Sequence, residues 1–351
     1  MRGCTSGSRR RFVRSWKIRS GQKGKGDPVG IVRKAVITAA GRGTRQFPAT
    51  RSIQKELLPL VDRDGITKPT IQIIVEECLA SGVEDLCIVV SPGGAEPFKQ
   101  HFSRLKDEER RIFRGKEWAL AQADALRRME ERIRYVEQPT PEGYGHAVYQ
   151  AREFVGDEPF LLLLGDHVYI SGTKKRCAQQ VIDTYSVAQC AISGVQQTPD
   201  DKLHLFGTVT GRRLGQSDPP TYEVTQIVEK PSIDFAAEHL QTPGVKRGYY
   251  LCFFGMHVFP PSIFDCLEKH IVDNIREKGE IQLTSSQEML RSQERYVAVE
   301  TVGERLDMGV PQGYIETQMA LALSGVDREE TLATLLRHVA KSAGKEPFGQ
   351  V

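Results

Sequence analysis

Two short stretches of this 351-residue chain place glycines and charged side chains where small ligands are commonly held. The first is Gly41-Arg42-Gly43-Thr44-Arg45, which follows the mostly apolar run 31–40. Glycine lets a backbone approach an anion closely, and successive N–H groups form a nest that suits phosphate. Taken alone, the loop is equally a tight turn carrying two surface arginines. It is not the dinucleotide fingerprint, because Gln46 stands where the third glycine belongs, and no G-x-x-x-x-G-K-[ST] loop exists in the chain. The second stretch is Leu161-Leu162-Leu163-Leu164-Gly165-Asp166, an acid at the carboxyl end of a buried strand. Open α/β sheets bind ligands at that end of their strands. A turn or a helix cap is the structural alternative for such an aspartate. The chain has no Ser-His-Asp or Cys-His set and no C-x-x-C pair, so covalent hydrolase, zinc and dithiol chemistry lack their residues.

The elements around these stretches follow from periodicity. Residues 31–40 suit a buried parallel strand that delivers the glycine loop. The spacing of Ile73, Ile74, Glu77 and Cys78 predicts a helix over 70–81, with Gly82 as the stop signal. Strands are expected at 86–90, 133–136 and 160–164, with helical spacing across 96–133. Strands alternating with helices predict an α/β fold, a Rossmann-like doubly wound mixed sheet. The second half is less regular, with strands expected at 206–210, 222–228 and 249–259. The two strands 206–210 and 222–228 flank a turn at 216–220. C-terminal helices over 312–324 and 329–341 close the chain, the latter with Leu332, Leu335, Leu336 and Val339 on one face.

No apolar run approaches the ~18 residues a membrane helix needs, so no membrane association is expected. Residues 1–26 hold nine basic residues and no acid, leaving 39 basic against 45 acidic residues in the rest of the chain. The body is thus mildly acidic, and polyanion binding would rest on the tail alone. Residues 1–30 are expected to be a disordered basic tail, although an Arg- and Ser-rich start also resembles an organelle transit peptide. The seven cysteines are odd in number and mostly in apolar surroundings, as befits free thiols in a reducing cytoplasm.

Residues 39–60, from Ala39-Ala40-Gly41 to Lys55-Glu56-Leu57-Leu58-Pro59-Leu60, resemble the signature of sugar nucleotidyltransferases. The nearest pattern is that of the bacterial UTP–glucose-1-phosphate uridylyltransferases, A-G-x-G-T-R-x-x-P-x-T-K-x-x-P-K-E-x-L-P. Landmarks continue to about Gly313. The resemblance implies that Ala40, Gly41, Gly43, Thr44, Arg45, Lys55, Gln138 and Gly143 contact the nucleotide. Gln138 and Gly143 stand in Gln138-Pro139-Thr140-Pro141-Glu142-Gly143-Tyr144-Gly145-His146-Ala147-Val148, which resembles the family's Q-x-x-x-x-G-x-G-H-A-V. A glutamine amide offers one donor and one acceptor, matching the edge of uracil or thymine. His146 is expected to pack at a helix start. Val228-Glu229-Lys230-Pro231, Phe206-Gly207 and Glu280-Ile281-Gln282-Leu283-Thr284 are similar to the segments that border the sugar, implicating Gly207, Glu229, Lys230 and Glu280. Leu306-Asp307-Met308-Gly309 resembles the family's D-x-G, so Asp166 and Asp307 are the implied Mg²⁺ ligands, and His167 is not, because Mg²⁺ prefers oxygen.

Three departures from the pattern bear on the nucleotide loop. Arg51 replaces a lysine, Gln54 replaces a proline and so is expected to soften the loop, and residues 63–67 form an insertion. Ser285 and Lys278-Gly279 depart near the sugar. The implied division is a nucleotide-binding part over 31–170, a sugar-binding part over 171–310 and a helical segment over 311–351. The implied reaction takes UTP and glucose 1-phosphate to UDP-glucose and pyrophosphate, with Arg45, Lys55, Asp166 and Lys230 as catalytic groups. Mg²⁺ is the cofactor, no nucleic acid is a partner, and a homo-oligomer is the expected assembly. Use of dTTP, or a noncatalytic sugar-nucleotide sensor on the same fold, are the alternatives. Because the tail carries no periodicity and no landmark, deleting residues 1–26 should change kcat/KM by less than about tenfold, which steady-state kinetics of the truncated chain would check.

Overall fold

The computed structural model describes residues 30–342. The expected tail at 1–30 and the end of the 311–351 segment therefore lie almost wholly or partly outside the described residues. In chain order the strands are β1 (Lys34–Ala39), β2 (Pro59–Val61), β3 (Thr67–Pro69), β4 (Asp85–Val90), β5 (Ile133–Glu137), β6 (Phe160–Leu164) and β7 (His167–Ser171). They continue with β8 (Ala191–Pro199), β9 (Gly207–Arg213), β10 (Thr221–Glu229), β11 (Tyr249–Phe259), β12 (Tyr296–Glu300) and β13 (Gly303–Asp307). Nine of them make one sheet in the order β5-β4-β1-β6-β11-β8-β12-β10-β9. The strands β5, β4, β1 and β6 run parallel, and β11 joins them antiparallel along β6. The sheet is mixed, as expected.

The alternation within the strands explains why both faces are covered. On β1, Ala35, Ile37 and Ala39 face one cluster and Val36 the other; on β6, Leu161 and Leu163 oppose Phe160 and Leu162. The first face packs on the helices Thr70–Ala80, Ala95–Phe102 and Cys177–Ala188 through residues such as Ile74, Phe98 and Val181. The second packs on Tyr144–Tyr149, Ile263–Val272 and Leu283–Gln293 through Val148, Phe264 and Leu290. A central strand covered on both faces has no use for polar alternation, which is why β6 is written almost entirely in leucine.

Two local expectations change. The helical stretch expected over 96–133 is broken into Ala95–Phe102, Asp107–Ile112 and Glu117–Glu130. Gln54 does not loosen its loop: its side-chain amide donates to the Gly94 carbonyl at 3.0 Å and ties the loop to the turn after β4. The insertion at 63–67 forms the turn between β2 and β3 and its end, where the Arg63 carbonyl accepts from Val326 N–H at 2.8 Å, next to the C-terminal helices. Those helices, Pro311–Leu323 and Arg328–Ser342, lie within a residue or so of their expected bounds.

Leu162 is fully buried in the middle of β6. Leu162→Ala should lower the free energy of unfolding by about 2–5 kcal/mol through lost burial and the cavity left behind, measured by denaturant unfolding.

Candidate active site

The site lies at the carboxyl ends of β1 and β6. Beyond β1 the chain enters the glycine loop. Gly43 takes the left-handed conformation at φ 62°, and its carbonyl accepts from Thr50 Oγ1 at 2.9 Å. A Cβ at Gly43 would stand 2.8 Å from Thr50 Cγ2, so both backbone angle and space demand glycine. At Gly41 a Cβ would approach Lys55 Nζ to 3.1 Å, so its absence leaves room for the ammonium beneath the loop. Beyond β6, Gly165 N–H donates to the Thr38 carbonyl at 2.9 Å, and a Cβ there would meet that oxygen at 2.6 Å. This tight crossing aims Asp166 into the cleft.

Asp166 and Asp307 meet because of a ribbon that periodicity does not reveal. Strands β7 and β13 pair antiparallel with Asp307 opposite His167. Asp166, His167 and Asp307 each offer a ligand atom, and these atoms lie within 4.8 Å of one another. Gly309 N–H donates to Asp307 Oδ1 at 2.9 Å. A Cβ at Gly309 would fall 2.6 Å from Asp166 Oδ2 and 3.0 Å from Asp307 Oδ1, so this glycine keeps open the space between the carboxylates. Two acid oxygens around a space kept clear by glycine fit a hard divalent cation. His167 Nδ1 is hydrogen-bonded to Asp166 Oδ1 at 2.9 Å and so orients that carboxylate.

Lys55 Nζ donates to Asp166 Oδ2 at 2.6 Å and lies 3.7 Å from Glu56 Oε1. Burial alone would raise the Asp166 pKa, but the His167 hydrogen bond and the Lys55 charge outweigh it and hold the carboxyl well below its usual range. For Lys55 burial works toward a lower pKa, and the Asp166 and Glu56 charges reverse it, leaving the ammonium above its ordinary value. For Glu56 burial prevails over the opposing Lys55 charge and pushes its carboxyl up to about 8.

Two cavities open on either side of Asp166. The first is lined by Ala40, Gly41, Lys55, Gln138, Gly143 and Glu280. Gly43 and Thr44 belong to the loop but do not line it, and Thr44 is exposed. The Gln138 side chain is buried, with Nε2 donating to the Gly143 carbonyl at 3.1 Å and lying 3.1 Å from His146 Nδ1. Its amide nitrogen is thus committed, and Oε1 is the part left to act as an acceptor. His146 sits buried in the helix Tyr144–Tyr149, as expected.

The second cavity is lined by Gly207, Glu229, Lys230, Thr284, Arg305 and Asp307, among others. Glu229 Oε2 accepts from Thr284 Oγ1 at 2.6 Å, and Oε1 lies 3.3 Å from Lys230 Nζ. Lys230 has φ 45°, and its N–H donates to the Phe206 carbonyl at 3.2 Å. A lysine held in the left-handed region is locally strained, and such strain gathers at functional sites. At Gly207 a Cβ would meet a Phe253 ring carbon at 2.7 Å. Arg45 lines this second cavity and not the first, leaning toward the Asp166–Asp307 pair.

Glu280 departs from its expected place on the sugar side. Ile281 N–H donates to the Glu142 carbonyl at 2.8 Å, and Gly145 N–H donates to the Ile281 carbonyl at 2.9 Å. This clip presses residues 280–281 against Gly143, so Glu280 faces the first cavity while Gln282, Leu283 and Thr284 face the second. Sequence reasoning also missed Tyr144, which lines both cavities, and Arg305. No motif marks either. Burial pulls the Arg305 pKa below its ordinary value.

A doubly wound sheet with a glycine loop, a cation-and-carboxylate centre and two adjoining cavities defines an α/β nucleotide-dependent transferase. Residues 34–324 match the family model described as nucleotidyl transferase. The chain is 36% identical over 311 residues to the UTP–glucose-1-phosphate uridylyltransferase of Bacillus subtilis (strain 168), covering 87% of this chain and 96% of that one. The structure is similar to UTP-bound UGPase from Acinetobacter baumannii, with TM-score 0.71 and 27% identity, covering 88% of this chain and 100% of that one. It is also similar to a UDP-glucose pyrophosphorylase complexed with UDP-glucose, with TM-score 0.66 and 27% identity, covering 83% and 98%. The chain belongs to the nucleotidyl transferase family, in its group of UTP–glucose-1-phosphate uridylyltransferases.

If the two carboxylates form the cation site, Asp307→Asn should weaken binding of Mn²⁺, used as a paramagnetic probe, by at least about tenfold. Electron paramagnetic resonance on the protein without substrates would measure it, and unchanged affinity would put the cation elsewhere.

Proposed function

We propose that this chain transfers the uridylyl group of UTP to glucose 1-phosphate, forming UDP-glucose and releasing pyrophosphate. The observation that carries this reading is that the two cavities adjoin: Asp166, Leu164 and Tyr144 line both. A nucleotide in the first cavity and a sugar phosphate in the second would meet at the carboxylate pair. Residues 31–170 would supply most of the nucleotide part and 171–310 most of the sugar part, with Glu280 and Arg45 crossing between them, and the described residues 311–342 a helical appendage.

The acceptor's phosphate oxygen attacks the α-phosphorus in line, and the bond from that phosphorus to the bridging oxygen of pyrophosphate breaks. A phosphate's second pKa is about 6, so the nucleophile is already largely ionised near neutrality and no general base is required. What the chain must supply is alignment and positive charge. Lys55, buried and ionised, is placed to neutralise charge at the α-phosphate. Arg45 offers forked donors to the phosphates above the carboxylate pair. Lys230 holds the acceptor's phosphate, and Glu229, fixed by Thr284, accepts from sugar hydroxyls. Ala40, Gly41 and Gly143 supply backbone close to the nucleotide, and Gly43 and Thr44 hold the turn of the loop beyond them. Asp166 and Asp307 would hold Mg²⁺, which when bound screens the negative charge shared by the phosphates.

Gln138 Oε1 is the acceptor that the base must satisfy. The N3–H of uracil or thymine donates to it, whereas cytosine presents an acceptor there. The six described cysteines are buried free thiols, in keeping with a reducing cytoplasm, and no described helix is long and apolar enough to cross a membrane.

Pyrophosphate release from UTP, dTTP, CTP, ATP and GTP, each with saturating glucose 1-phosphate, tests the reading. UTP should be best, dTTP usable, and CTP and the purines poor, because a mismatched base leaves buried polar groups unpaired at about 1–3 kcal/mol each. Gln138→Ala should narrow the UTP-to-CTP gap. A preference for ATP or GTP would sink the uridylyl assignment, and binding of UTP with no release of pyrophosphate would make the protein a sensor.

A further inference from the structure

Arg305 lines the sugar-side cavity and takes no part in the chemistry above. It lies on β13 two residues before Asp307, so both side chains leave the same face of the strand. Its guanidinium lies over the Phe206 ring, with Cζ 3.6 Å from the centroid, and Nη1 donates to the Phe253 carbonyl. These two contacts fix the plane of the fork and leave most of its five donors uncommitted. Among the described residues no carboxylate forms an ion pair with it; the nearby acid whose charge reaches it is Asp307. A half-buried cation without a paired anion is costly, and a ligand oxygen is the natural acceptor for it.

The neighbours say which part of the ligand. Phe206 adjoins Gly207, and a Cβ at Gly207 would stand 2.7 Å from the Phe253 ring and 3.2 Å from Glu229 Oε2. Arg305, resting on Phe206 and Phe253, and Glu229 thus flank the same short stretch of cavity wall. Ionised glutamate only accepts hydrogen bonds, and guanidinium only donates them. A sugar hydroxyl, which does both, satisfies the two at once.

We propose that Arg305 is a specificity-determining residue whose free N–H groups donate to a hydroxyl oxygen of the acceptor sugar, the same hydroxyl that donates to Glu229. This rests on the uridylyl-transfer reading and deepens it. The test is a cycle between enzyme and substrate. Wild type, Arg305→Gln and Arg305→Lys are each assayed for pyrophosphate release from UTP with glucose 1-phosphate and with its 2-, 3-, 4- and 6-deoxy forms.

In Arg305→Gln the KM for glucose 1-phosphate should rise on the order of 10- to 100-fold, as for loss of a charged hydrogen bond, while UTP affinity measured alone stays within about twofold. One deoxy substrate, poor with wild type, should then be nearly as good as glucose 1-phosphate. Arg305→Lys keeps the charge but not the fork and should fall between. If the losses are additive for all four deoxy substrates, Arg305 does not touch a sugar hydroxyl and the proposal fails; a raised KM without coupling would mean a contact to the phosphate and would overturn it equally. Should Arg305→Gln not fold, Arg305→Lys carries the same cycle. A wild type that releases no pyrophosphate from UTP and glucose 1-phosphate sinks the uridylyl reading and this proposal with it, whereas an active wild type with additive losses sinks this proposal alone.

Discussion

A carboxylate buried at the end of β6 must stay ionised, and much of the architecture around it serves that need. Desolvation alone would push the Asp166 pKa up. Lys55 arrives from the loop after β1, His167 from the next residue, and Asp307 from the far end of the chain along β13. Each approach depends on a glycine that leaves room: Gly41 beside Lys55, Gly165 at the crossing to β1, and Gly309 between the acids. The charges compensate one another in a setting where none could stand alone.

The same economy shapes the two cavities. The sheet passes without a break from the parallel strands β5, β4, β1 and β6 to the mixed strands that follow β11. The seam between them lies beside Asp166, so groups from both halves of the chain reach one centre. On the sugar side the wall is rigid: Glu229 is pinned by Thr284, Lys230 is held in a strained conformation, and Arg305 is clamped by Phe206 and Phe253. On the nucleotide side the wall is a clip, in which Ile281 bonds to Glu142 and Gly145. Preorganised donors and acceptors of this kind need little rearrangement when charge shifts during a transfer.

The Leu161–Leu164 run and the apolar approach to Gly41 announced two central strands, because a strand buried on both faces leaves a continuous apolar signature. Of the residues named from motif resemblance, Gly43 and Thr44 line neither cavity and the others line one or both, but their partners were less legible. That Gln138 spends its amide nitrogen on Gly143 and His146, and that Glu280 faces the first cavity, follow from contacts between segments far apart in the chain.

By itself the sequence determined the α/β alternation, the glycine loop, the acid at the end of β6 and the cations available to phosphates, because these are local properties of spacing and residue type. Only the tertiary structure decided that Asp307 lies opposite His167, that Lys55 pairs with Asp166, and that Arg305 reaches the sugar-side cavity with no acidic partner among the described residues. The β7–β13 register joins strands well separated in sequence, and it carries no periodic signal that reaches from one to the other. A solitary arginine looks the same in sequence whether it faces water or a ligand; burial among Phe206, Phe253 and the pocket wall is what sets it apart.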